Sequence, residues 1–242
     1  MSIAQEIRTK VGGLKPGLVF SASDIATPAW TMASVVKTLN RLAQSGEIEK
    51  LSKGKFYKPL KTRFGVLRPT TEQVAKDFIE KNGKLVGYTT GNSAYNGMGL
   101  TTQVSSTIQI GANKYRHPIQ RGGYTIEFIV QRNPITHKNI NILRILDAMR
   151  FFREIPATSP DDACRRLREI VNGLSASEKA KLASCAMSYT NYVRAICGAI
   201  LEDVGGDDAL TLAIRKSLNG ITEYRLPISD SALPTKRNWR IV

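Results

Sequence analysis

Histidine is almost missing from this sequence: His117 and His137 are the only two. Cysteine is scarce as well. Cys164, Cys185 and Cys197 are odd in number, lie far apart and form no CxxC pair. These shortages exclude a disulfide scaffold and a zinc site of the usual spacing. They also remove most metal and acid–base constellations. His117 precedes Pro118 in a basic loop and His137 lies in a polar one, so both are expected at the surface. No run approaches the roughly 18 apolar residues of a membrane span. The first ten residues carry Glu6, Arg8 and Lys10 and lack the apolar core of a signal peptide. We therefore expect a soluble, cytoplasmic protein with no membrane partner.

Acidic residues are outnumbered, 20 Asp/Glu against 35 Lys/Arg, for a formal net charge of +15. Carboxylates are also badly placed for catalysis. Glu127 sits in a strand-like segment, but only Asp77 and Glu80 lie between it and Glu72, and no Glu-x-Lys follows. Two-metal hydrolysis needs several converging carboxylates, which this pattern does not offer. The glycine-rich run at residues 87–99, GYTTGNSAYNGMG, has neither a GK[ST] nor a GxGxxG, and Ser93 lacks a GxSxG elbow. It reads as turns. No catalytic residue, cofactor or metal is expected, and the chain is not read as an enzyme.

What is present is a core and an uneven basic charge. Hydrophobic residues make up 42% of the 242, enough for folded domains. Residues 1–68 hold 12 Lys/Arg and 4 Asp/Glu, a net +8; the remaining 174 hold 23 and 16, a net +7. Residues 50–68 contain seven basic side chains and no acidic one. A concentration of this kind favours a polyanionic partner.

The basic segment has a recognisable order. Ile3, Ile7 and Val11 mark a helix ending at Gly12-Gly13. Residues 20–26 form a second, capped by Ser21 or Ser23. After Pro28, the apolar residues Met32, Val35, Val36, Leu39, Leu42 and Ala43 define a third, stopped at Ser45-Gly46. Strand-forming residues then flank Lys53-Gly54, a hairpin turn. Three helices followed by a basic hairpin are the order of a winged helix-turn-helix. The third helix is expected in the major groove, with Thr31, Ser34, Lys37, Thr38 and Arg41 facing DNA. Lys53 and Lys55 at the hairpin tip are expected on phosphates.

Beyond a basic connector at residues 61–69, Thr70 and Gln73 offer a capping box for a helix running to Asn82-Gly83. Residues 85–88, 106–110 and 124–130 look like strands. Helices dominate after Asn139, with start signals at Ser159-Pro160, Ser175–Glu178 and Asp207-Asp208. An apolar stripe from Leu182 to Val204 reads as one long core helix, and residues 229–242 as a surface tail. The expected fold is α+β: a winged helix-turn-helix at 1–68, then a small α+β region and a helical C-terminal region at 69–242.

The run SASDIATPAW, then VVKTLNRLAQSGEIEKLSKGKFYKP, resembles the winged-helix half of AbiEi-type antitoxins. GYTTGNSAYNGMGLTT and RHPIQRGGYTIEF look like the start of that family's second domain. The resemblance covers roughly residues 1–130. It implies an antitoxin that binds its own promoter and represses it. It also implies a functional partner, a toxin that resembles nucleotidyltransferases, with or without a direct complex. The rival expectation is a ligand-responsive winged-helix regulator with no toxin partner.

Overall fold

A computed structural model of the chain describes residues 2–63 and 65–242. Met1, and Phe64 inside the basic connector, lie outside the described residues. The side chain of Lys61 is likewise not described.

The chain runs through α1 (Ile3–Gly12), β1 (Val19–Ser21), α2 (Ala22–Ile25), α3 (Met32–Gln44), β2 (Glu49–Ser52) and β3 (Lys55–Tyr57). Next come β4 (Leu60–Thr62), β5 (Gly65–Leu67), α4 (Thr71–Val74) and α5 (Lys76–Ile79). A mixed stretch follows: β6 (Glu80–Lys81), β7 (Lys84–Leu85), β8 (Gly87–Thr90), α6 (Asn92–Gly97), β9 (Thr107–Ala112), β10 (Ile119–Arg121) and β11 (Tyr124–Val130). The rest is helical: α7 (Ile140–Arg150), α8 (Pro160–Asn172), α9 (Ala176–Ala186), α10 (Asn191–Asp203) and α11 (Asp208–Lys216). The fold is α+β.

Two compact units divide the chain. The first takes Met1–Asp77 with Ile119–Ile126, the second Phe78–Pro118 with Glu127–Val242. The expected division at residues 68 and 69 falls inside the first unit.

In the first unit the apolar faces of α1, α2 and α3 close on a small core of Ile7, Val11, Ile25, Val35, Leu39 and Leu42, joined by Phe20, Ile48 and Phe56. Its sheet is antiparallel with strand order β1-β3-β2. Caps fix the helix starts. Ser2 accepts from the Gln5 amide, Thr31 accepts from the Ser34 amide, and Ser21 forms a capping box with Asp24. β10 pairs with the first residues of β11, Ile119 opposite Ile126 and Arg121 opposite Tyr124.

The helix expected to run from Thr70 to Asn82 is broken up. Thr70 does cap α4, but Gln73 turns away from the cap and accepts from the Val19 amide on β1 at 3.2 Å. Asn82 and Gly83 both have positive φ, 51° and 70°. That pair suits a two-residue hairpin turn, and it joins β6 to β7 where a helix end was expected.

In the second unit β8 pairs antiparallel with β9, Gly87 opposite Ala112 and Thr90 opposite Gln109. The glycine-rich run is thus no string of turns. It forms a buried strand, turns at Gly91 and continues as α6. Helices α7 to α11 supply most of a larger core. The long stripe from Leu182 to Val204 is two helices, because the chain breaks at residues 187–190 between α9 and α10. Both keep the apolar phase, so periodicity alone did not reveal the break.

The break serves a buried polar cluster. Asp147 on α7 is fully buried. It accepts from Tyr88 at 2.6 Å, from Thr90 at 2.9 Å and from Tyr189, within the break, at 2.8 Å. Gln131 donates to both tyrosine hydroxyls, at 2.9 Å and 2.7 Å. Burial pushes the Asp147 carboxyl up, and the three hydroxyl donors counter this only in part.

The expected surface tail is packed instead. Ala232, Leu233, Trp239 and Ile241 are buried. Trp239 donates to Glu202 at 2.7 Å, and its ring covers Gly198, where a Cβ would lie 2.2 Å from ring carbons. Only a glycine on α10 leaves room for that ring. The tail returns to Tyr224 through a parallel bridge at Ile241. Its apolar residues follow no helical or strand period, so no sequence pattern marked them as core.

Candidate nucleic-acid interface

Helix α3 carries no acidic residue, and its exposed side presents Lys37, Arg41 and Gln44. The apolar arc is rotated from the one expected. Val35, Thr38, Leu39 and Leu42 are the buried positions, while Met32 is 49% and Val36 40% exposed. At about 100° per residue, Thr38 falls beside Val35 and Leu42, whereas Val36 falls well to one side. Thr38, only 7% exposed, therefore does not join Lys37 and Arg41 on the outer face. Thr31 is the helix N-cap, and its hydroxyl donates to Ser34 at 2.8 Å, so these two side chains are engaged with each other. An open groove of about 660 Å³ separates the start of α1, at Ser2 and Ile3, from Lys37, Arg41 and Gln44.

The hairpin β2–β3 divides its two lysines. Lys53 is exposed beside Gly54 at the tip. Lys55 turns inward, with its ammonium 3.6 Å from Asp77. Arg121 on β10 grips the same carboxylate with both terminal nitrogens and also donates to the Val74 carbonyl at 2.8 Å. Burial on its own raises the Asp77 carboxyl. Arg121, through hydrogen bonds and charge, and Lys55 through charge outweigh it and hold Asp77 below the ordinary carboxylate value.

The acids of residues 1–68 are all engaged inside the unit. Glu6 accepts from the Trp30 indole, Asp24 from Ser21, Glu47 from Arg8 and Ser45, and Glu49 from Tyr57. Burial and the Glu49 partner push the Tyr57 hydroxyl up to about 12. Among the described residues, the side chains of Lys37, Arg41 and Lys53 make no hydrogen bond or ion pair. These cations are exposed, while the nearby negative charge is tied down. Of the seven expected positions, Lys37, Arg41 and Lys53 are set out to solvent, Thr31 and Ser34 close the helix start, and Thr38 and Lys55 are drawn into the unit.

Elsewhere, the cysteines are buried free thiols. Burial pushes Cys164 and Cys197 up to about 12, which removes nucleophilic character. Among the described residues no group of His, Cys, Asp and Glu could hold a metal ion, and no helix is long and apolar enough to cross a membrane.

A family of unknown function, DUF6088, matches residues 4–150, more than half of the chain. The chain belongs to the DUF6088 family. The DUF6088 match takes in nearly all of the first unit and ends with α7, leaving α8 to α11 and the tail beyond it. The crystal structure of the RV2827C protein from Mycobacterium tuberculosis is similar in fold, with a TM-score of 0.54 at 13% identity. That similarity covers 91% of this chain and 83% of the other. No curated protein matches the chain.

Proposed function

We propose that the first unit is a winged helix-turn-helix that binds double-stranded DNA, in a chain that acts as an antitoxin repressing its own operon. The observation that carries the DNA-binding reading is the set of exposed, unpaired cations on α3 and the β2–β3 tip, with every neighbouring acid engaged. The order of elements supports it: helix, strand, two helices, then a hairpin, with sheet order β1-β3-β2. That order suits a recognition helix followed by a wing. In this reading Lys37 and Arg41 reach base edges or phosphates in the major groove, and Lys53 rests on the backbone. Thr31 and Ser34 set the start of the recognition helix. The antitoxin half rests on the resemblance of residues 1–130 to AbiEi-type antitoxins and implies a nucleotidyltransferase-like toxin as functional partner.

Band shifts on the DNA upstream of the gene test the first half. Lys37→Ala/Arg41→Ala is expected to weaken binding by about 1–3 kcal/mol for each base edge that is no longer bonded. Unchanged affinity would remove α3 from the interface. Co-expression of the full chain with the neighbouring reading frame, scored by colony survival, tests the second half. Repression without protection would leave a plain regulator and overturn the antitoxin reading.

A further inference from the structure

The second unit holds an arginine-lined cavity of about 290 Å³ that the DNA-binding reading does not use. It is lined by Arg132, Arg150 and Arg194, with Ser188, Thr190 and Asn191, and by no carboxylate. We propose that it is a binding site for a phosphate group carried by a small ligand, such as a nucleotide or pyrophosphate. The proposal concerns the second unit alone and does not depend on the reading of the first.

Two of the guanidiniums are held in place without a carboxylate partner. Arg194 donates to the Tyr189 carbonyl at 3.0 Å and to the Ser217 carbonyl at 3.2 Å. Arg150 donates to the Val130 carbonyl at 3.4 Å and stacks over Phe151. Arg132 is exposed at the cavity edge. Other arginines of the same unit behave differently: Arg165, Arg166, Arg168, Arg215 and Arg237 each pair with a carboxylate. The buried carboxylate whose charge reaches Arg150 is Asp147, and its oxygens are already taken by Tyr88, Thr90 and Tyr189.

Neutral donors complete the lining. Thr190 is the N-cap of α10, yet its side chain makes no capping hydrogen bond. The first amides of α10, at Asn191 and Tyr192, have no acceptor within the helix. Guanidinium forks match phosphate oxygens geometrically, and helix-start amides add donors of the same polarity. The volume lies at the lower end of small-molecule pockets. It has room for a phosphoryl group and part of what carries it.

The test uses the full chain and calorimetric titration with pyrophosphate and with ATP at physiological salt. We expect saturable binding with one site per chain. Arg132→Ala removes a guanidinium that has no structural partner among the described residues, so folding is preserved. It should weaken both ligands about tenfold, as loss of a charge-assisted hydrogen bond does. Lys181→Ala, which removes one exposed positive charge of α9 outside the cavity lining, should leave affinity unchanged. The absence of saturable binding by the wild type would overturn the site. Equal weakening by both variants would overturn it too, since that reports only net charge. If Arg132→Ala weakens duplex DNA but neither small ligand, the surface belongs to a nucleic-acid path and the small-ligand site is wrong.

Discussion

Two carboxylates show how one residue type takes opposite parts in this chain. Asp77 is held below the ordinary value, so its contribution to stability is complete above the unfolded carboxylate range, near pH ~4. It is lost as pH falls through the folded value. Asp147 is held above the ordinary value, so its ionisation opposes folding as pH rises. The two titrations therefore have opposite signs. Asp77→Asn should cost more stability at pH 7 than at about pH 3, whereas Asp147→Asn should cost less at pH 7 than at about pH 3. Urea unfolding of both variants across that range is the measurement, and a parallel trend would show that one assignment is wrong. Arg121→Ala goes further, leaving the Val74 carbonyl and the Asp77 carboxylate without their main donor. A loss of about 1–3 kcal/mol is expected, read as a fall in the urea midpoint. None of these pairings was legible in the sequence, because Asp77 and Arg121, or Tyr88 and Asp147, are joined only across long stretches of chain.

At the scale of elements, the hairpin β2–β3 makes a distinction that composition could not. Lys53 and Lys55 look equivalent around Gly54, yet Lys53 lies in the turn at the exposed tip whereas Lys55 opens β3 and its ammonium lies beside Asp77. If the hairpin lies on phosphates, Lys53→Ala should make the salt dependence of DNA affinity shallower by roughly one unit. Lys55→Ala should leave that slope nearly unchanged. Equal effects on the slope would mean that Lys55 leaves Asp77 on binding. The starts of α8, α9 and α11 and the caps at Ser159 and Ser175 followed directly from local signals, while the choice of Ser21 over Ser23 as the cap of α2 did not. Asn82-Gly83 carried such a signal too, since that pair suits a two-residue hairpin, but read as a helix end it hid the β6–β7 turn.

At the scale of the whole molecule, each unit has its own core, and the two cores share no residue. Trp239 belongs to the larger one. Trp239→Ala removes a buried ring, with an expected cost of about 3–5 kcal/mol to the second unit. DNA affinity measured below its unfolding temperature should stay unchanged, because the side chains expected on DNA all lie in the first unit. A thermal scan and a band shift on the same sample test this, and a joint loss would show that DNA binding needs the second core. The sequence by itself determined the α+β class, the positions of α1 and α3, the absence of acids from α3 and the excess of basic charge at residues 1–68. These are local properties, set by spacing, capping side chains and turn residues within a few positions of each other. The tertiary structure alone decided that Thr38 is buried, that Lys55 is paired and that β10 joins the first unit. It also broke the Leu182–Val204 stripe at Tyr189 and folded the last residues over Gly198. Each of those outcomes depends on a partner far away in the chain, and periodicity records which side of an element is apolar without recording what will meet it.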